Sequence, residues 1–159
     1  MAPPADLSPM IVEALYCEAL VLADEARAAF DLSGDLSGRL TTASPDEDLA
    51  RIALSCEALR TTTRMMHAIA WLLNQRAYLA GELSEFQLRR HGGLPAPQPD
   101  GDPAQLLLLG PELHDLARRT RRFYARIERL DSAWRRHYAM QPAAIHRLRE
   151  RLGRAVAAL

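Results

Sequence analysis

Residues 44–81, SPDEDLARIALSCEALRTTTRMMHAIAWLLNQRAYLAG, decide the fold of this chain. Ser44 and Glu47 stand three apart, as in a capping box, and Pro45 takes the first helical position, where its missing N–H costs nothing. Gly81 is a typical stop signal for a helix. We therefore expect one long helix from Pro45 to about Ala80.

Small and apolar residues recur along this helix at alternating spacings of four and three, which predicts a single face that packs against other helices. The members of this face are Ile52, Cys56, Leu59, Thr63, Met66, Ala70, Leu73 and Ala77. Between Met65 and Leu73 apolar residues occupy the other faces as well, so we expect this segment to be buried on most sides. The polar residues of 57–64 are then either an internal hydrogen-bonded cluster or a partner-binding surface.

Two further long helices are predicted on either side of this one. The first runs from Pro9 to Phe30 and is followed by a glycine-containing loop over 32–38. Its apolar face comprises Val12, Leu15, Ala19, Leu22, Ala26 and Ala29. The third begins at Pro111, with an apolar face that comprises Leu113, Leu116, Thr120, Phe123, Ile127, Leu130 and Trp134. A short helix is expected over 84–90. These patterns predict an all-α fold, a three-helix up-down-up bundle with shallow crossing angles.

We interpret the remaining segments as connections within a single domain, residues 1–159. Residues 92–103 contain four prolines and three glycines, a composition that cannot hold a helix or a central strand. We therefore expect residues 92–105 to form a flexible linker inside the domain. Pro142 breaks the chain again, so residues 140–159 are expected to be a C-terminal extension with a loosely held helix.

The composition excludes several classes of protein. The 159 residues are 48% hydrophobic, enough for a core, and all 20 basic residues are arginine. Without lysine the chain cannot be a P-loop NTPase or a Schiff-base enzyme. Cys17 and Cys56 are too few for a disulfide scaffold and read as small buried residues. With neither a secretory signal nor a membrane-spanning stretch, a cytoplasmic protein is expected.

Catalytic and metal-binding patterns are missing from the sequence. The five histidines are scattered, so no zinc motif or di-iron motif can be assembled from neighbouring positions. His67 lies in the apolar run and is interpreted as a core histidine. We expect no enzymatic activity, no metal and no cofactor, although a site assembled from different helices stays open as a third, enzymatic alternative.

The two ends of the chain carry opposite charge. Residues 1–50 hold ten acidic residues and two arginines, whereas residues 112–154 hold twelve arginines and five acidic residues. The first helix is expected to lie beside the last, within one copy or between two. The arginines Arg118, Arg122, Arg126 and Arg129 follow the third helix at spacings of 4, 4 and 3. They are either a solvated face or a partner-binding face for an acidic protein or a nucleic-acid backbone.

Three segments resemble a known family. They are EALRTTTRMM at 57–66, AWLLNQRA at 70–77 and YARIERLD at 124–131. Together they are similar to the central and third helices of the regulator of CtrA degradation (RcdA) family of alphaproteobacteria. The resemblance implies a non-enzymatic, dimeric three-helix bundle. It also implies an adaptor that works with other adaptors and brings cell-cycle regulators to the ClpXP protease.

Several functional expectations follow. The abundance of apolar faces on the second helix favours a homodimer, as does the resemblance. The C-terminal tail ends in Ala158 and Leu159, and by analogy with apolar tails recognised by ClpX-type unfoldases it is either a tether to the protease or a frayed helix end. The alternative function is a small DNA- or transcription-associated regulator that binds through the arginine-rich third helix. Nucleic acid is the less expected partner because no base-reading motif accompanies the arginines.

Overall fold

The computed structural model describes residues 8–38 and 44–140, with residues 151, 153, 154 and 156 near the C-terminus. Within these ranges the fold is all-α, as predicted, and contains no strand. The helices are α1 (Pro9–Gly38), α2 (Pro45–Leu79), α3 (Glu85–His91), α4 (Pro103–Leu106) and α5 (Pro111–Met140). The three long helices α1, α2 and α5 build the bundle, and α2 contacts every other helix.

Local capping signals set both ends of α2 where the sequence predicted them. The Ser44 hydroxyl accepts a hydrogen bond from the Glu47 backbone N–H at 3.3 Å, and the Glu47 carboxylate accepts one from the Ser44 N–H at 3.0 Å. Past the other end, Gly81 has φ of +77°, the left-handed region that favours glycine. A second capping box, Ser84 with Gln87, starts α3.

The first helix is longer than its sequence indicated. It continues to Gly38, so the predicted loop over 32–38 is wrong. A glycine inside a helix costs only about 1 kcal/mol relative to alanine, which a bundle can absorb. In this last part of α1, the Ser33 hydroxyl donates to the Ala29 carbonyl at 2.8 Å, one helical turn back.

The first and last long helices run antiparallel, joined by two ion pairs. Arg126 binds Glu18 at 2.8 Å and Arg119 binds Glu25 at 2.7 Å. Moving seven residues forward on α1 therefore corresponds to moving seven residues back on α5. The acidic first helix lies beside the basic last helix within one copy of the chain, one of the two arrangements that the charge distribution suggested.

The second and third long helices, by contrast, run parallel. Arg121 contacts Glu57 at 3.3 Å near the start of this contact, and Trp71 contacts Asp131 at 2.9 Å further along both helices. The predicted up-down-up order is therefore wrong for the third long helix. Sequence reasoning assumed that successive long helices alternate in direction, which holds only where the connection between them is short.

Residues 92–102 make the parallel arrangement possible by returning the chain along the bundle. The guanidinium of Arg135 donates to the Leu94 carbonyl at 2.9 Å, near the C-terminal end of α5. Gly101 is buried at the other end, where a Cβ would lie 2.9 Å from Nη1 of Arg60. Eleven extended residues span up to about 36 Å, ample for this return. The segment lacks regular secondary structure, as predicted; its flexibility stays a prediction.

The core uses a different face of α2 from the predicted one. Ile52, Leu59, Met66 and Leu73 are 53%, 69%, 63% and 43% exposed. The buried residues of α2 are instead Ala53, Glu57, Thr61, Met65, Ala68, Trp71, Leu72 and Gln75. The expected burial of Met65–Leu73 on most sides holds only in part. Met65, Ala68, Trp71 and Leu72 are buried, whereas Met66, Ala70 and Leu73 face outward. Cys17, expected to be buried, is also exposed.

The core forms where the buried faces of the three long helices meet. Its members are Val12, Leu15, Ala19, Leu22, Met65, Ala68, Trp71, Leu72, Phe123, Tyr124 and Ile127. The α1 face and most of the α5 face were predicted, since each of these helices has one clear apolar stripe. Among the described surfaces that this core leaves uncovered are the outer face of α2 and the groove between α1 and α5.

Candidate protein-interaction surfaces

An exposed apolar stripe follows the outer face of α2. We call Ile52, Leu59, Met66 and Leu73 the heptad stripe because each is seven residues from the next. From Ile52 to Leu73 it extends about 30 Å along the helix. A seven-residue repeat is the period by which one helix packs continuously along another in a coiled coil. The exposed stripe therefore has the repeat of a coiled-coil face.

The four arginines predicted from the sequence all lie on the exposed side of α5, but they differ in their partners. Arg118 is paired with Asp115 of the same helix. Arg126 binds both carboxylate oxygens of Glu18 and lies over the Phe123 ring. Arg122 and Arg129 have no ion pair among the residues that the structure describes. The structure thus brings the four residues to one exposed face, and partner binding by that face stays a prediction.

The other two predicted site residues, Ala158 and Leu159, lie outside the described part of the chain. The tether interpretation of the C-terminal tail stays a prediction. The interpretation of residues 140–159 as an extension stays one as well, since α5 is described only to Met140.

A groove of about 470 Å³ lies beside the arginines, between α1 and α5. Its floor is apolar and includes Cys17, Val21 and Phe123, and its rim carries arginines of α5. Val21 is 58% exposed, although it is a large apolar residue in the middle of a helix. Sequence reasoning missed this groove because the floor forms only when α1 meets α5. The available signal was the four-residue spacing of Cys17 and Val21, off the buried face of α1.

A buried carboxylate joins α2 to α5 close to these surfaces. Glu57 is 1% exposed and contacts three guanidinium groups, those of Arg121 at 3.3 Å, Arg60 at 3.7 Å and Arg64 at 4.0 Å. Burial lowers the pKa of Arg64 below its ordinary value, and the Glu57 carboxylate opposes this shift. The cluster therefore has the internal structural role that was one of the two interpretations of residues 57–64.

A second, more polar cavity of about 330 Å³ lies between α2, α5 and the linker. Half-buried His67 lines it, so this histidine borders a cavity rather than the close-packed core. Tyr124 lines it too, and burial raises the pKa of its phenol. Arg64 and Arg121 face it with Asp100 and Glu128. The lining thus carries two positive and two negative side chains.

Two further findings concern chemistry and membranes. Among the described residues, no group of three or more histidine, cysteine or acidic side chains is placed to hold a metal ion. In the same part of the chain, no helix combines the length and the apolar character needed to cross a bilayer.

Comparison with known proteins gives one match. A family model described as "Protein of unknown function (DUF1465)" matches residues 4–156. No curated protein and no solved structure matches the chain. Because the matched region spans nearly the whole sequence, the chain belongs to the DUF1465 family, a family of unknown function.

Proposed function

We propose that this protein is a non-enzymatic adaptor or scaffold that assists the proteolysis of cell-cycle regulators by a ClpXP-type protease in the cytoplasm. The observation that carries the proposal is the heptad stripe of α2, an apolar face about 30 Å long with no partner helix in the described chain. Large exposed apolar patches mark interaction surfaces. The resemblance of residues 57–66, 70–77 and 124–131 to RcdA proteins supports the choice of protease, cargo class and co-adaptors.

The heptad stripe is best matched by α2 of a second copy. Its period of seven requires a long helical partner, and α2 itself is 35 residues long with the complementary repeat. Such a two-fold interface uses the same patch on both copies, so it closes as a dimer. A stable interface of this kind buries more than about 1,200 Å² in total.

The adaptor proposal is tested by capturing substrates in a proteolytically inactive ClpXP trap, in cells of the source organism with and without this protein. We expect a defined set of regulators to enter the trap only when the protein is present. An identical set of captured proteins in both strains contradicts the proposal. Leu59→Asp is the informative variant, and Leu107→Asp is its matched control because Leu107 is an exposed leucine on a different surface.

The alternative is a DNA-associated regulator, favoured by the two arginines of α5 without an ion pair in the described chain, Arg122 and Arg129. It has less support because Arg119, Arg121 and Arg126 are neutralised by carboxylates of α1 and α2. Binding to phosphates through free arginines falls steeply with salt. Retention of DNA that falls with salt and is lost in the Arg122→Gln/Arg129→Gln variant would favour this alternative over the adaptor.

A further inference from the structure

We propose that the α1–α5 groove binds an acidic amphipathic segment of a partner protein. A large apolar side chain of the segment fills the floor over Val21 and Phe123, and its carboxylates bind Arg122 and Arg129. The inference rests on the adaptor function above, since it gives the chemistry of the cargo or co-adaptor segment that this protein would hold.

The floor of the groove is suited to one large apolar anchor. On the floor of the groove Val21 is 58% exposed, whereas Phe123 is 2% exposed and belongs to the core beneath it. Exposed Cys17 extends the apolar surface along α1. A volume of about 470 Å³ lies within the range of about 300–1,000 Å³ that is usual for binding pockets. A few buried anchors of this kind supply most of the binding energy in many protein interfaces.

The rim of the groove is held in place by ion pairs that cross it. Arg119 binds Glu25 at 2.7 Å and Arg126 binds Glu18 at 2.8 Å, so both walls are tied together before any partner arrives. Arg122 lies between these two arginines along α5 and lines the groove without an ion pair among the described residues. The groove therefore presents a positive group that no carboxylate of its own walls neutralises.

The second free arginine sets the spacing of charges in the partner. Arg129 is seven residues beyond Arg122, on the same side of α5 and about 10 Å away along the helix. Arginine binds carboxylates in a bidentate geometry that is stronger than an ordinary hydrogen bond. The preferred segment therefore carries acidic residues separated by about 10 Å, with the apolar anchor beside them.

The composition of the groove favours a protein over a nucleic acid. A phosphate backbone gains little from an apolar floor, and it would lie against the carboxylates of Glu18 and Glu25 on the α1 side. An acidic peptide can place its apolar anchor on the floor and direct its carboxylates toward α5 alone.

The test uses a fluorescein-labelled synthetic peptide with one tryptophan flanked by glutamates, titrated with the full chain in fluorescence anisotropy. We expect the affinity for the peptide to fall about tenfold or more when its glutamates become glutamines or its tryptophan becomes alanine. A tenfold change in affinity corresponds to about 1.4 kcal/mol of binding free energy. Val21→Asp and Arg122→Glu should each cause a similar loss. The controls are Leu107→Asp and Arg90→Glu, which change exposed residues elsewhere.

Circular dichroism checks that each variant folds, which Val21→Asp should do because its side chain is largely exposed. The inference is overturned if the Val21→Asp and Arg122→Glu variants bind the peptide as tightly as the wild type does. Duplex DNA that displaces the peptide and itself depends on Arg122 would also overturn it, in favour of nucleic acid.

The inactive protease trap separates the two proposals. If the wild-type protein promotes capture and both groove variants do so equally well, the groove inference fails and the adaptor function stands. If the wild-type protein promotes no capture but binds the acidic peptide through Val21 and Arg122, the adaptor function fails and the groove remains a peptide-binding site.

Discussion

The indole N–H of Trp71 donates a hydrogen bond to Oδ1 of Asp131 at 2.9 Å, so a core residue of α2 is paired with a buried carboxylate of α5. The other oxygen of Asp131 binds Nε of Arg135 at 2.8 Å. Arg135 in turn donates to the Leu94 carbonyl at 2.9 Å. One carboxylate, only 5% exposed, thus holds together α2, α5 and the start of the linker.

Replacement of Trp71 tests this arrangement. Trp71→Ala should lower the free energy of unfolding by about 3–5 kcal/mol, because it leaves a cavity in the core. Trp71→Phe keeps most of the packing and should cost about 1–3 kcal/mol, because the Asp131 carboxylate loses its buried donor. Both values are measured by urea denaturation. A loss below about 1 kcal/mol for Trp71→Ala would contradict the burial of Trp71 in the monomer.

The buried carboxylate of Glu57 should matter far more than an exposed one. Glu57→Gln leaves three arginines around an uncharged amide, and breaking a buried ion pair costs about 3–5 kcal/mol. Glu18→Gln is the matched control, since it removes one carboxylate from a largely exposed pair worth at most about 1 kcal/mol. Denaturation of both variants in parallel gives the comparison. Similar losses for the two would show that the Glu57 cluster contributes no more than a surface pair.

The raised pKa of Tyr124 predicts a loss of stability at alkaline pH. Burial favours the neutral phenol in the folded protein, so the unfolded chain releases this proton first as the pH rises past about 10. The stabilisation that this shift gives the folded protein is complete below about pH 10. It is lost as the pH rises through the pKa of Tyr124 in the folded protein. Tyr124→Phe should make the free energy of unfolding fall less steeply above about pH 10 than in the wild type. Identical slopes in the two proteins would contradict the prediction.

The heptad stripe predicts how the protein associates. Light scattering at micromolar concentration should give about twice the chain mass of 17.7 kDa. Leu59→Asp places a charge in the centre of the proposed interface and should yield a monomer that remains helical by circular dichroism. Leu107→Asp should remain a dimer. A wild-type mass near 17.7 kDa would refute the homodimer.

Local signals in the sequence predicted the helices well, because capping boxes such as Ser44 with Glu47 act within one turn. They could not identify which face of α2 enters the core. The predicted face and the buried face are adjacent on the same helix. The predicted face, which points outward, has the more regular repeat of apolar residues. Packing against α1 and α5 buries the face that carries residues such as Ala68 and Leu72.

For the candidate surfaces, too, the sequence predicted what depends on local spacing but not what depends on long-range packing. The four arginines of α5 could be placed on one face from their spacing, but their partners could not. Whether Arg126 is neutralised depends on Glu18, 108 residues away. The α1–α5 groove and the direction of α5 both depend on the path of the linker, which composition alone does not reveal.

The parallel course of α2 and α5 bears on the order in which the chain folds. The hydrogen bonds that join these helices connect residues 60 and 64 positions apart, whereas α1 and α2 are consecutive helices along the chain. Long-range contacts carry a larger loop-closure entropy and form late. We therefore expect α5 to dock last during folding and to detach first during unfolding, so the groove that it shares with α1 exists only in fully folded molecules.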